Sequence, residues 1–410
     1  MSEQSINGLA VHPLRARVLE EIHARPFAAI AAPCRVLHFA FLSDGGEDER
    51  EALGAWLGAW LGADGPGDEA RHFQATVGGR TFQWERHGEF TAYTFELAAG
   101  APPLWPAGLP QPGLLLVAVQ LDLGAPEELA LAGGGARTAL ADGRALAASS
   151  FRPNADGFVE IGVTDRGLVE GEAGPLIQRI LEVETYRTLA LLGLPEAQRH
   201  GPTIRRIETE LPGVIEAIRT GDLQESQALL DRLSELSADL EAGSAAAAYR
   251  FGATRAYAEL MRLRLEALHE SAVDGAPTWS AFFARRLNPA MRTCLSTEER
   301  QSNLSRKLTR AAQLLRTKVE VTLQSQNRDL LRAMNRRARL QLQLQQTVEG
   351  LSVAAISYYV ASLAHLGLEG AHAIWPWIDP NVGTAIAVPF IIAAVWLTVA
   401  RVRKAHKPEG

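Results

Sequence analysis

Two stretches without Asp, Glu, Lys or Arg close the chain: LSVAAISYYVASLAHLGL at Leu351–Leu368 and VGTAIAVPFIIAAVWLTVA at Val382–Ala400. A helix rises about 1.5 Å per residue, so each stretch spans about 27–29 Å and nearly matches the roughly 30 Å hydrocarbon core of a bilayer. A pair of buried core helices is the alternative interpretation. We predict a C-terminal two-span α-helical transmembrane hairpin over residues 351–400.

The residues that flank these spans predict their orientation. Basic residues cluster before the first span, at Arg328–Arg339, and after the second, where the tail 401–410 begins with Arg401, Arg403 and Lys404. The loop 369–381 between the spans has two acids and no Lys or Arg. Basic flanks stay on the cytoplasmic side of a membrane. Because no signal peptide opens the sequence, we expect a bacterial inner-membrane protein with a cytoplasmic N-terminal body and a cytoplasmic tail.

Charge is distributed unevenly along the 410 residues, whose formal net charge is -6. Residues 301–340 carry ten Lys or Arg against two acids, so the body that precedes them is strongly acidic. A basic segment near a bilayer attracts anionic headgroups, by about 1 kcal/mol per Lys or Arg. No motif of a nucleic-acid-binding protein is present, and we therefore expect anionic lipid and no nucleic acid as the partner.

Four arginines of this basic segment share one stripe of a helix: Arg328, Arg332, Arg336 and Arg339. Their spacing of four, four and three residues follows the helical repeat. The stripe is interpreted as solvated or lipid-facing, and in an oligomer it would instead ring the inner mouth of a pore.

The chain before the spans divides by pattern into an α+β domain, a helical bundle and a stalk. Short runs of β-branched and aromatic residues, with a hairpin turn at Gly78-Gly79, predict the cytoplasmic α+β domain over residues 1–170. Helical patterns separated by breaks such as Pro212-Gly213 predict the helical bundle over residues 171–295.

A long basic stalk helix is predicted over residues 296–350. A cap at Ser296 or Thr297 would begin it. Apolar residues then recur from Leu304 to Met334 at a mean spacing of 3.75 residues, which is helical periodicity. A helix of this length is not stable alone, so we expect it to pack on neighbouring helices or on copies of itself.

Two patterns carry chemistry that enzymes use, and neither is complete. Cys34 and His38 share one face of a predicted strand, but no acid partner or cleft accompanies them, and they are interpreted as core residues. The Gly-rich segment Ala132–Arg137 includes Gly133–Gly135, which lacks the Gly-Lys-Ser/Thr ending of phosphate-binding loops and is interpreted as a flexible loop. We therefore predict no enzyme activity and no cofactor, and leave a metal site formed by the fold open.

Polar residues within and beside the spans are the candidate functional residues. Tyr358, Ser362 and His365 form a stripe on span one, and polar groups in a bilayer face either a partner helix or a pore. Asp379 precedes span two, where a helix N-terminus favours a carboxylate. In a symmetric oligomer, Asp379 would form an acidic ring at the outer mouth of a pore.

Four strings in three regions of the chain resemble a bacterial family of uncharacterised membrane-anchored proteins. They are HPLR and EIHARPF near the N-terminus (His12–Arg15 and Glu21–Phe27), EVETYR in the middle (Glu182–Arg187) and VEGLSVAAISYY near the end (Val348–Tyr359). The resemblance covers nearly the whole chain. It implies a membrane protein and supplies no established activity or catalytic residue.

The layout also resembles that of CorA-type divalent-cation channels, with an acidic α+β domain, a stalk, two spans and a basic tail. Those channels carry Gly-Met-Asn at the end of span one, where this chain reads HLGLEG at His365–Gly370. A further likeness is to calcium uniporters, although Trp375–Pro380, WPWIDP, carries one acid where those proteins have two. The layout implies a divalent cation as a candidate partner.

Two functions compete on these grounds. In the first, a homo-oligomer forms an ion channel or transporter with a cytoplasmic regulatory domain. Asp379 then collects cations, and Tyr358, Ser362 and His365 line the path. In the second, the hairpin only anchors a scaffold or signalling protein whose cytoplasmic domain binds a protein partner. Two spans per chain cannot enclose a pore alone, so the first function requires an oligomer.

Overall fold

The computed structural model describes most of the chain between residues 5 and 405. The described residues are 5–6, 9–12, 14–15, 18–19, 29–43, 47–62, 65–67, 70–126, 135–221, 223–273, 275–377 and 379–405. They fall into two units: the first runs to Gly221 and from Gln227 to Ala312, and the second comprises the short segment that ends at Ser226 and the residues from Gln313 onward.

Most strands of the first unit join one mixed sheet. The strands of the sheet are β3 (Cys34–Leu42), β4 (His72–Val77), β5 (Arg80–Arg86), β6 (Phe90–Ala98), β7 (Leu114–Leu123), β8 (Ala136–Leu140), β9 (Ala145–Pro153), β10 (Val159–Asp165) and β11 (Ser271–Ala272). Their order across the sheet is β11-β8-β9-β10-β7-β3-β6-β5-β4. Strand β10 pairs parallel to β7, whereas the other neighbours are antiparallel. Two short strands, β1 (Ser5–Ile6) and β2 (Leu9–Ala10), pair separately.

Helices make up most of the second half of the chain. They are α1 (Glu47–Leu61), α2 (Ala173–Leu191), α3 (Gly193–Thr220), α4 (Ser226–Glu266), α5 (Trp279–His372) and α6 (Pro380–Ala405). Helix α5 has 94 residues; it contributes to the first unit as far as Ala312 and to the second from Gln313 onward.

Strand β3 lies in the interior of the sheet and is buried on both faces. On one face, Val36 and Ala40 pack in a hydrophobic cluster with residues of α2, α4 and the start of α5. On the other face, Leu37, Phe39 and Phe41 pack with α1 and with the Pro-rich loop before β7. The sheet is therefore covered by helices on both faces, which explains why CRVLHFAFL reads as a continuous apolar run.

The predicted α+β domain is confirmed in its main features. Strands Cys34–Leu42 and His72–Val77 form as predicted, and the turn at Gly78-Gly79 connects β4 to β5. Both glycines have positive φ, 59° and 73°, the conformation that a tight two-residue hairpin turn requires. The loop predicted to reach Arg137 was too long, because Arg137 lies in β8 and pairs with Ala148. Gly133 and Gly134 lie outside the described residues.

Two predicted helix boundaries were wrong. Helix α3 continues through Pro212-Gly213, where a break was predicted, because Ile207, Leu211 and Ile218 are buried on both sides of that dipeptide. The predicted cap at Ser296 or Thr297 lies inside α5, and the Thr297 side chain is 5% exposed. Buried tertiary contacts override a local cap or breaker signal, which is worth about 1–3 kcal/mol.

The second unit contains the two apolar segments that close the chain. Helices α5 and α6 are each long and apolar enough to cross a membrane, and the apolar windows are 6% and 0% buried. Helix α6 begins at Pro380 and ends at Ala405, so it extends beyond the predicted span at both ends. A long helix followed by a C-terminal apolar helix, as predicted, therefore ends the chain.

Candidate functional site

A cleft in the first unit lies between the sheet and helix α2. It encloses about 560 Å³ of empty space, including the part that is open to solvent. Polar side chains of β3, β5 and β6 face polar side chains of α2 across it. We call it the His38 cleft, and its polar lining includes His38, Gln83, Glu85, Thr94, Gln178 and Thr185.

His38 is held between two threonine hydroxyls. Its Nδ1 lies 2.8 Å from Oγ1 of Thr94, and its Nε2 lies 3.0 Å from Oγ1 of Thr185. Burial disfavours the charged imidazolium and lowers the pKa of His38 to about 4. A neutral imidazole has one donor and one acceptor nitrogen, so one hydroxyl accepts from the ring and keeps its own hydrogen for another acceptor. His38 thereby fixes the hydrogen-bonding direction of both threonines.

Acidic side chains give the cleft a negative character. The Glu85 carboxylate lies 3.6 Å from Nε2 of His87, and both side chains are largely buried. Gln178 donates from Nε2 to Oε1 of Glu182 at 3.3 Å, and the other carboxylate oxygen of Glu182 accepts from Arg264. Glu182 is thus neutralised by an arginine, and Glu85 lies beside a histidine.

The EVETYR string of α2 connects the cleft to the core. Thr185 contacts His38, and Tyr186 lines the cleft and stacks on Tyr257 at a ring distance of 5.9 Å. The buried Glu184 accepts two hydrogen bonds from Arg187, one turn further along the helix. A buried carboxylate needs such charge-assisted bonds, because an unpaired charge inside a protein is expensive. The string is therefore an organised part of the fold.

Cys34 does not form a reactive pair with His38. Both residues are buried on the α2 side of β3, as predicted, but His38 is occupied by threonines. Burial, with Glu96 and Asp122 nearby, raises the pKa of Cys34 to about 12, so its thiol stays protonated. Among the residues that the structure describes, no group of three His, Cys, Asp or Glu side chains could hold a metal ion.

The candidate functional residues predicted in the hairpin differ in their surroundings. His365 lies 2.8 Å from Thr384 of α6 through Nδ1, and because the Thr384 hydroxyl donates to the Pro380 carbonyl, that nitrogen carries the hydrogen. Asp379 accepts at Oδ1 from the backbone of Asn381 at 2.8 Å and so caps α6. Tyr358 and Ser362 are exposed.

The basic residues predicted at the membrane edge lie on the helices of the second unit. The stripe arginines are exposed on α5, and Arg332 pairs with Asp329 at 3.1 Å. Arg401 is exposed on α6, and the backbone of Arg403 and Lys404 belongs to the last turn of that helix.

The sequence did not reveal the cleft as a site. Gln83, Glu85 and Thr94 lie on separate strands, and no short motif joins them to α2. One signal was available, because the EVETYR string places the polar residues Glu184 and Thr185 directly after the apolar Val183 in helix α2. Polar residues that share the buried face of a helix indicate partners elsewhere in the fold.

A family model described as "Protein of unknown function (DUF3422)" matches residues 10–406. The prediction of an uncharacterised family that covers nearly the whole chain is confirmed. The likeness to CorA-type channels finds no support in this match. No curated protein matches the chain.

Proposed function

The chain belongs to the DUF3422 family, and we propose that it is a membrane-anchored protein whose first unit binds a small polar molecule in the His38 cleft. The observation that carries this proposal is the convergence of hydrogen-bonding side chains from three strands and one helix on a single cavity. A concave site with an apolar floor and a few convergent polar groups is typical of small-molecule sites in proteins.

The cleft favours a ligand that is neutral or positively charged. The ordered hydroxyls of Thr94 and Thr185 offer hydrogen bonds to an uncharged polar group, and the side chains of Gln83 and Gln178 extend the polar wall. No arginine or lysine lines the cleft among the described residues, so an anion would find no cationic partner there. A polyol, an amino sugar or a nucleoside has the required chemistry.

The hairpin is proposed to hold this unit at a bacterial inner membrane, with the His38 cleft on the cytoplasmic side. Support comes from the apolar segments of α5 and α6 and from the basic residues that flank them. Lipid with anionic headgroups would then contact the stripe arginines. Tags placed after Lys407 and in the loop at Trp375 test this topology, because only the Trp375 tag should be labelled from outside intact cells.

The binding proposal is tested with the full chain in a neutral detergent. A panel of polyols, amino sugars, polyamines and nucleosides is scanned by thermal shift and by ligand-observed NMR. At least one compound should raise the melting temperature of the wild-type protein. Glu85→Gln and Gln178→Leu should lower its affinity at least about tenfold, since the first removes the charge of an acceptor and the second removes a hydrogen-bonding amide, each worth roughly 1.5 kcal/mol.

Two exposed positions give matched controls. Glu51→Gln on α1 and Gln198→Leu on α3 make the same chemical changes away from the cleft. Both controls should keep the wild-type affinity. The proposal is contradicted if no compound binds, or if the controls weaken binding as much as the cleft variants do.

Ion conduction by an oligomer is the second candidate, and an observation in the hairpin favours it. The Ser357 hydroxyl is buried and has no hydrogen-bond partner among the described residues, while Tyr358 and Ser362 are exposed beside it. Exposed polar side chains are costly in lipid, so a second copy or a water-filled path would satisfy them.

Flux from liposomes tests conduction, with K⁺ and Mg²⁺ as the probes. Reconstituted protein should release at least one of these ions faster than protein-free liposomes do, and Ser362→Ala and Asp379→Ala should reduce the release. Leu363→Ala, at an exposed apolar position one residue further on, is the matched control. Release equal to that of protein-free liposomes leaves the hairpin with an anchoring role only.

A further inference from the structure

A second cavity of the first unit lies where β9, α2 and the start of α5 meet. It encloses about 420 Å³ of empty space, partly open to solvent. Its lining differs in chemistry from that of the His38 cleft, because arginines and phenylalanines dominate it. We call it the arginine pocket, and its characteristic residues are Phe151, Arg152, Arg187, Phe282, Phe283 and Arg286.

Two of the three arginines are available to a ligand. Arg187 is bound to the buried carboxylate of Glu184 through two hydrogen bonds. Arg152 and Arg286 are exposed, and neither forms an ion pair with any acid in the described part of the chain. The pocket therefore carries uncompensated positive charge, although the first 300 residues are acidic overall.

The aromatic side chains form the floor of the pocket. The ring of Phe151 lies 4.6 Å from that of Phe283 and 5.2 Å from that of Phe282. The guanidinium carbon of Arg286 lies 4.3 Å from the centre of the Phe282 ring, which is a cation–π arrangement. The guanidinium carbon of Arg187 likewise lies 6.0 Å from the ring centre of Phe151 and 5.9 Å from that of Phe283. The arginines therefore cover the ring faces, and a flat ring can stack on their guanidinium planes while its substituent forms hydrogen bonds to them.

The backbone conformation of Phe151 is a further observation in favour of a ligand site. Phe151 has a φ of 54°, in the left-handed region that a bulky residue seldom adopts. Ser149 stabilises the conformation, because its Oγ accepts from the Phe151 amide at 3.0 Å. Residues held in rare backbone conformations cluster at ligand sites, where the conformation aims a side chain.

We propose that the arginine pocket binds a small molecule in which a phosphate group is attached to a flat aromatic ring. A guanidinium group matches a phosphate with two parallel hydrogen bonds, and Arg152 and Arg286 supply two such groups on one cavity. The site shares no lining residue with the His38 cleft and does not depend on the function proposed for that cleft.

The test uses the full chain in a neutral detergent, with phenyl phosphate as the probe. Calorimetric titration should show saturable binding that is at least about tenfold tighter than that of inorganic phosphate, because stacking adds to the ionic contacts. Arg152→Ala and Arg286→Ala should each weaken phenyl phosphate binding at least about tenfold. Arg286→Lys should restore only part of the loss, since lysine lacks the planar fork.

Arg285→Ala is the matched control. Arg285 is the exposed neighbour of Arg286 on α5, carries the same charge and does not line the pocket. This control should bind phenyl phosphate as the wild type does. Circular dichroism of all variants checks that the fold is retained. We expect it to be retained, because substitutions at exposed positions seldom destabilise a protein strongly.

Three results would overturn the proposal. Equal weakening by Arg285→Ala and Arg286→Ala would show that general charge, and not the pocket, attracts the probe. Absence of binding at millimolar phenyl phosphate would contradict the proposed binding site. Equal affinity for a water-soluble short-chain phosphatidate, with the same dependence on Arg286, would assign the pocket to a lipid headgroup and refute the aromatic part.

Discussion

Helix α5 carries apolar residues along its whole length, but the two units treat them differently. In the first unit the positions Leu287, Ala290, Cys294, Leu304 and Leu308 recur at intervals of three and four residues or their sums, and each is at most 8% exposed. In the second unit the same helix presents Leu330, Met334, Leu340 and Leu344 with 58–67% exposed. The two sets have similar sequence patterns, but among the described residues only the first set is buried by neighbouring segments.

An apolar stripe on a helix therefore predicts that this face is buried, but it does not identify the surface that buries it. Burial in the first unit provides most of the stability of that part of the helix, because isolated helices are marginal in water. The exposed stripe, together with the apolar windows that follow it, needs a second copy, neighbouring helices or lipid.

A matched pair of leucines on α5 tests this difference directly. Leu308→Ala should lower the free energy of unfolding by about 2–5 kcal/mol, because the side chain is 2% exposed and its removal leaves a cavity. Leu330→Ala, at a side chain that is 61% exposed, should change it by less than about 0.5 kcal/mol in the monomer. Denaturant unfolding in detergent, followed by tryptophan fluorescence, measures both.

The oligomeric state gives a second measurement that distinguishes Leu308→Ala from Leu330→Ala. If copies of the chain pack through the stalk, Leu330→Ala should shift the oligomeric state seen by light scattering while Leu308→Ala does not. A Leu330→Ala variant that unfolds like Leu308→Ala would show that the exposed stripe is buried within the chain, contrary to the structure.

Acid should weaken the first unit through His38. The folded protein holds the pKa of His38 at about 4, below the ordinary value of 6.5, so the unfolded chain takes up the proton first as pH falls. The contribution of His38 to the free energy of unfolding is therefore fully present above pH 6.5. It is lost as the pH falls towards 4, by about 3 kcal/mol in total. The stalk, residues 296–350, contains no histidine.

The variant His38→Gln isolates this contribution. Glutamine keeps a donor and an acceptor for Thr94 and Thr185 but does not titrate. The loss of stability between pH 6.5 and 4 should become about 3 kcal/mol shallower, as measured by unfolding at several pH values. A slope unchanged from the wild type would assign the acid sensitivity to groups other than His38.

Ion pairs should also differ between the two units. The Glu89 side chain is 10% exposed and accepts from Arg250 at 2.7 and 3.1 Å and from the Tyr249 hydroxyl at 3.1 Å. Glu89→Gln should cost about 1–3 kcal/mol, since the partly buried Arg250 loses its counter-charge. Asp329→Asn removes the exposed pair with Arg332 on the stalk and should cost less than about 0.5 kcal/mol.

Salt distinguishes the two ion pairs further. Raising the ionic strength screens the exposed pair first, so the small effect of Asp329→Asn should vanish while that of Glu89→Gln persists. Equal costs for the two variants would mean that burial does not separate the two pairs.

The smallest expected effect concerns the cap of α6 in the second unit. Asp379→Ala should destabilise the start of α6 by about 1 kcal/mol, because the backbone amide of Asn381 loses its acceptor. Asp379→Asn keeps the acceptor and should be nearly neutral. Hydrogen exchange should detect faster opening of the first turn of α6 and no change in the first unit; uniform protection would contradict the assigned cap.

Much of the sheet could be predicted because its strands are marked locally. The run Cys34–Leu42 is apolar at nearly every position, and Gly78-Gly79 permits a tight turn between two alternating segments. The start of α5 could not be predicted, since the polar pair Ser296-Thr297 resembles a cap and only the neighbouring helices show that Thr297 is buried.

The two cavities could not be predicted from local patterns. His38 meets Thr94 and Thr185, which are 56 and 147 residues away in the chain. Arg152 and Arg286 come together from β9 and α5. No spacing rule connects residues so far apart, because their proximity is set by the order of strands in the sheet.

Composition and periodicity alone were enough to predict the class of the protein: an acidic body rich in strands and helices, a basic helical segment and two apolar stretches. These features depend on neighbours within a few residues. Only the packing of distant segments shows which polar groups are buried, which arginines lack an acidic partner among the described residues and where the two cavities lie. Burial and pairing depend on chain segments brought together from a distance, and they set both the protonation of His38 and the charge of the arginine pocket.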